Sequence, residues 1–173
     1  RLSVYLGVGR QRQRVERDEV GGNHVLRHGG AKARAQLLDQ IGVAHRLLPA
    51  DADEDAEALE ACVPGELPDV YVQRVTRLKL AAACRRLAQR GLPPAPVLCA
   101  DTTVALGRRI LGKPGDAAEA TDMLQRLSGR THRVLTAVAL HDGRRGQHVM
   151  QVSHVRFAKL PASVIDAYVA SGD

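Results

Sequence analysis

Ten residues from Val97 to Leu106 form a β-rich run, and Gly107-Arg108-Arg109 turns it back into Ile110-Leu111 as in a hairpin. A chain with such a hairpin must build a sheet around it. The run carries one carboxylate, Asp101, which is costly in an apolar strand unless it is paired or binds metal. Folding back at residues 107–109 sets Lys113 roughly opposite Thr103, two positions from Asp101. Diagonal cross-strand neighbours of that kind lie about 7–8 Å apart, within reach of a lysine. Spacing alone leaves a structural ion pair and a catalytic pair both open.

Helical and strand-like segments alternate around the hairpin. Leu37, Leu38 and Ile41 follow helical spacing from Ala31 onward, and Gly42 stops that helix. Val43 to Leu48 reads as a strand. Pro68 opens a second helix with Tyr71, Val75, Leu78 and Ala82 on one face, ending near Gly91. Asp116 with Glu119 is a capping-box variant that starts a third helix, which Gly129 ends. His132 to His141 and His148 to Leu160 alternate as paired strands around Asp142-Gly143. A last helix begins near Pro161 and reads as continuing past Asp173. The class is therefore α/β with a mixed sheet.

Composition narrows the function. A chain of 173 residues, 45% hydrophobic, fits one domain with a core. No stretch approaches the roughly 18 apolar residues of a membrane span, and Leu2 to Val8 is short for a signal-peptide core. These features point to a soluble, cytoplasmic protein. Cys62, Cys84 and Cys99 share no metal-ligand spacing and read as reduced, buried thiols. One Phe, three Tyr and no Trp argue against stacking on single-stranded nucleic acid. The first thirty residues hold six arginines against three acids, so they carry half of the +6 net charge. The remaining excess suits a small polyanionic substrate. Residues 9–30 read poorly as structure, and residues 1–30 as a divergent N-terminal segment.

Arg74, Arg77 and Lys79 lie on the second helix, Arg74 and Arg77 sharing a face and Lys79 lying beside Val75. The cluster Asp51, Asp53, Glu54, Asp55 is of the kind that holds Mg²⁺, and equally of the kind that is a solvated loop. Ser128-Gly129-Arg130-Thr131-His132 reads as a turn with an exposed histidine, since no serine–base–carboxylate arrangement follows from it.

Taken in order, these segments resemble the Maf family. Its motifs are matched by Leu37 to Val43, Arg74 to Lys79, Ala100-Asp101-Thr102-Thr103-Val104, and Leu111-Gly112-Lys113-Pro114. Asp116 to Leu140 gives the longest match, and Tyr168 to Gly172 resembles the family's next helix. The resemblance covers residues 31–173. It implies an inosine-triphosphatase-like mixed twisted sheet flanked by helices, with a deep nucleotide cleft, a divalent metal (Mg²⁺ or Mn²⁺) and a homodimer. The implied reaction splits a nucleoside triphosphate between its α and β phosphates. Asp101 matches the catalytic aspartate, Lys79 and Lys113 the site lysines, Arg34 a phosphate-binding arginine, and Asp53 an upstream acidic position. Asp101, Asp53 and Glu54 are the implied metal ligands. Thr102 is an implied substrate-binding position and resembles the version acting on dTTP and UTP.

Two departures stand out. Family members carry Ser-x-Ser-Pro-Arg-Arg about where this chain has Gly29 to Arg34, so Ala33 replaces one arginine of the phosphate site. The family also continues into a segment with a further lysine and a glutamine, so the domain reads as incomplete at its C-terminus. A catalytically impaired binding or regulatory protein of the same fold, of the kind linked to cell division and the septum, is the competing expectation. Nucleic-acid binding through the arginine-rich N-terminus ranks third, because the rest of the chain lacks a basic stripe.

Overall fold

The computed structural model describes residues 4–8, 30–51, 54, 55 and 58–172, with the backbone alone for residues 8 and 30–32. In chain order the elements are β1 (Val4–Val8), α1 (Gly30–Gln40), β2 (His45–Pro49), a 3-10 turn (Ala58–Glu60), α2 (Pro68–Gln89), β3 (Val97–Leu106) and β4 (Arg109–Leu111). They continue with α3 (Ala117–Leu127), β5 (Thr131–His141), β6 (Gly146–Arg156) and α4 (Ala162–Ser171). The sheet runs β2-β1-β3-β5-β6, with β4 on β3. It is mixed, as expected: β1 is parallel to β2 and β3, whereas β4 is antiparallel to β3. No helix among the described residues is long and apolar enough to cross a membrane.

Two compact units divide the chain. The first comprises Arg1–Ala61, Thr76–Cys99 and Ala139–His148; the second comprises Cys62–Val75, Ala100–Val138 and Val149–Asp173.

In the first unit β1 is the inner strand. Within the N-terminal segment read as divergent, Val4–Val8 pairs on both sides; residues 9–29 of that segment lie outside the described residues. A parallel strand with neighbours on both edges buries both faces. Tyr5 packs with Ala83 and Leu87 of α2 and with Leu48, Val97 and Cys99, while Leu6 packs with Ala35 and Leu38 of α1. Gly7 faces Cys99 of β3 and Ala83 of α2. A Cβ there would lie 2.5 Å from Cys99 Sγ and 2.8 Å from Ala83 Cβ. Gly7→Ala is therefore expected to cost about 1–3 kcal/mol by overpacking, read as a lower midpoint in urea. Burial pushes the Cys99 thiol up to about 12, so it is an inert packing group. Cys84 is half-buried; Cys62, in the second unit, is exposed, contrary to the expectation of three buried thiols.

In the second unit Tyr71, Val72 and Val75 of α2 pack with Ala105, Leu135 and Ala137. Helix α3 starts as its sequence dictates. Asp116 Oδ1 accepts from the Glu119 amide at 2.8 Å, and Glu119 Oε2 accepts from the Gly115 amide at 2.8 Å, one residue beyond the usual box. Gly129, with φ of 68°, closes it.

Three details differ from expectation. Pairing in the hairpin runs Val104↔Leu111 to Leu106↔Arg109, a register that continues to Thr102 and not Thr103 opposite Lys113. His132 is buried, not exposed, because its ring meets Phe157 edge-on at 4.9 Å while Ser128 Oγ accepts from the Leu160 amide at 2.7 Å and ties that segment down. The last helix does not run on: Gly172, with φ of 71°, ends α4.

Candidate active site

Strand β3 places Asp101 by simple alternation. Residues 97, 99, 101, 103 and 105 share one face of a strand. Val97, Cys99, Thr103 and Ala105 on that face are buried, and Asp101 among them is only half-buried. The carboxylate therefore occupies the one open position in a row of core side chains. Thr102 points to the other face, where its Oγ1 lies 3.0 Å from Thr136 Oγ1 of β5. Lys113 lies two residues beyond β4 on an exposed stretch, past the end of the ladder.

The first unit holds the other expected cations. Arg34 is half-buried on α1, and Lys79 half-buried on α2. Both lie close enough to the Cys99 thiol to oppose the effect of its burial, which places them in one electrostatic neighbourhood. Lys79 Nζ pairs with Glu60 Oε1 at 2.7 Å.

In the acidic stretch, read from the sequence as a metal site or a solvated loop, Glu54 and Asp51 meet arginines. Arg86 donates from Nε and Nη2 to the two oxygens of Glu54 at 2.7 and 2.5 Å, and from Nη1 to the Leu48 carbonyl at 2.8 Å. Its hydrogen bond to Arg86 holds the Glu54 carboxyl below its ordinary value, against the opposing effect of burial. Arg90 pairs with Asp51 and donates to the Pro49 carbonyl at 2.8 Å. Asp55 Oδ1 accepts from the Ala58 amide at 2.9 Å and opens the 3-10 turn. Both Glu54 oxygens thus serve a guanidinium. Asp53 lies outside the described residues. Among the described residues no three His, Cys, Asp or Glu side chains are grouped to hold a metal ion.

In the second unit Arg74 grips Glu66 with both Nε and Nη2 at 2.7 Å and stands over the Tyr71 ring at 5.5 Å. This grip holds Glu66 below its ordinary value and Arg74 above its own. Arg77 is exposed. Sequence reasoning missed Glu60, Glu66, Arg86 and Arg90. The signal was present as matched charge: Asp51, Glu54, Glu60 and Glu66 pair in reverse order with Arg90, Arg86, Lys79 and Arg74.

Residues 30–173 match the family model described as Maf-like protein. The chain belongs to the Maf family. Among its Maf relatives, a dTTP/UTP pyrophosphatase of Albidiferax ferrireducens is 61% identical over 140 residues, covering 81% of this chain and 70% of that protein. One from Polaromonas sp. is 60% identical, covering 81% and 69%. A third, from Ralstonia nicotianae, is 56% identical over 152 residues, covering 87% and 73%.

Proposed function

We propose that this Maf protein hydrolyses dTTP and UTP to the nucleoside monophosphate and pyrophosphate. The observation that carries this reading is Asp101, a half-exposed carboxylate in the otherwise buried face of β3. The names of the relatives, dTTP/UTP pyrophosphatase, supply the substrate.

In this reaction water adds to the α phosphorus, the α–β phosphoanhydride breaks, and pyrophosphate leaves with the developing negative charge. Such chemistry needs positioning and charge stabilisation more than a covalent nucleophile. Mg²⁺ typically takes one or two carboxylates and completes its shell with water and phosphate oxygens. Asp101 fits that mode of binding, whereas Glu54, committed to Arg86, does not. A bound divalent cation, Mg²⁺ or Mn²⁺, would neutralise phosphate charge there. As a carboxylate, Asp101 is also suited to accept a proton from the attacking water. Lys79, Lys113 and Arg34 neutralise phosphate oxygens. Thr102, whose hydroxyl lies 3.0 Å from that of Thr136, completes the substrate-binding residues of this reading. The same reading carries a cytoplasmic homodimer with it.

Because the lysines bind as point charges, they read phosphate and not base. Lys79→Ala and Lys113→Ala are each expected to weaken dTTP, UTP and GTP alike, by about 10-fold or more. The test is kcat/KM for the three nucleotides in each variant. A changed ranking of dTTP against GTP would show that the lysine touches the base. Ala33 favours the second reading, a catalytically impaired binding or regulatory protein of the same fold, and a folded protein that binds dTTP without forming product would establish it.

A further inference from the structure

The four ion pairs formed by α2 and by Arg90 just beyond it are unequal in a way that singles out one of them. In the first unit Arg86 is 3% exposed and holds Glu54 through two N–H donors as well as the Leu48 carbonyl. In the second unit Arg74 holds Glu66 through two donors, and the Glu66 side chain is 7% exposed. These are planar, bidentate grips that another anion cannot enter without breaking both bonds. Arg90 and Asp51 are more open, and Arg90 is also tied to the Pro49 carbonyl. Lys79 and Glu60 differ in kind. Lys79 meets Glu60 through an ammonium–carboxylate contact at 2.7 Å, with side chains 18% and 41% exposed. A lysine ammonium is a compact charge with rotatable donors, so a phosphate oxygen satisfies it as well as a carboxylate does.

We propose that Glu60 is a placeholder anion at Lys79, one that a phosphate group of the substrate must displace and that thereby sets the affinity for polyphosphates. This rests on the reading of Lys79 as a phosphate-binding residue. Glu60 ends the 3-10 turn Ala58–Glu60, whose first amide is capped by Asp55, so the carboxylate is presented from a built turn. Glu54 stays anchored by Arg86 when Glu60 lets go. Nucleotide binding therefore exchanges one partner of Lys79 for another and leaves the neighbouring pairs in place. An exchange of this kind reduces apparent affinity by the fraction of molecules in which Lys79 is available.

The test is calorimetric titration of inorganic pyrophosphate into the parent, Glu60→Gln, Lys79→Ala and the double variant, alongside dTTP turnover by the parent. Glu60→Gln is expected to tighten pyrophosphate binding by about two- to sixfold, the range set by a partly exposed ion pair. The gain should shrink in high salt and vanish in the Lys79→Ala background. Glu60→Gln binding no tighter than the parent, while the parent binds pyrophosphate and turns over dTTP, overturns the placeholder and leaves the function standing. An equal gain with and without Lys79 overturns it too, because it reports only the removal of a distant negative charge. A parent that neither binds pyrophosphate nor converts dTTP sinks the placeholder together with the function it rests on.

Discussion

Asp101→Asn is expected to lower dTTP turnover by about 10²–10⁴-fold, the range lost with a positioned acid–base or charge-stabilising group. Asparagine keeps the size of the side chain but neither ligates a cation strongly nor accepts a proton. The fold should survive, because the position is half-buried and the substitution removes a charge from a row otherwise made of core residues. Thermal melting of the variant should match or exceed that of the parent. Turnover equal to the parent's would remove Asp101 from the chemistry. A collapsed melting curve would mean instead that its carboxylate holds β3 together.

Glu54→Ala should have the largest effect on stability, about 3–5 kcal/mol. The penalty comes from the partner: Arg86 is buried, and removing Glu54 takes two acceptors from its guanidinium while the Leu48 carbonyl stays. Water reaching the Glu54 side, which is 28% exposed, sets the loss toward the lower end of that range. The same pair makes stability depend on acid. Glu54 titrates below its ordinary 4.5 in the folded state, so its contribution is present above that value and is lost as pH falls through the lower, folded one. Urea midpoints measured from neutral pH down to about pH 3 should fall more steeply for the parent than for Glu54→Ala. Parallel pH profiles would show that the Arg86 pair contributes little to acid sensitivity.

Local patterns made much of the fold legible. Helix α3 follows from its cap and apolar spacing, and the β3–β4 hairpin from a β-rich run ended by a glycine turn. Strand β1 was not legible, because five residues carry too little pattern and their burial depends on β2 and β3, some forty and ninety positions away. His132 was misjudged for a related reason: its cover, Phe157, comes from a segment 25 residues later. In the site, Asp101 stood out because a carboxylate in an apolar strand needs an explanation. The role of Glu54 did not, since its partner lies 32 residues away on another element. An acidic cluster reads the same whether it faces a cation from solution or arginines of its own chain. The one-residue shift of Lys113 has a simpler origin: turn geometry sets hairpin register, and composition specifies it only loosely.

The account is tested most directly by identifying the products formed from dTTP and Mg²⁺, using ³¹P NMR with chromatography of the nucleotide. Cleavage between the α and β phosphates yields dTMP and pyrophosphate in equal amounts, with no orthophosphate, and this is the result expected. Formation of dTDP with orthophosphate, or no conversion by a folded protein, would contradict it.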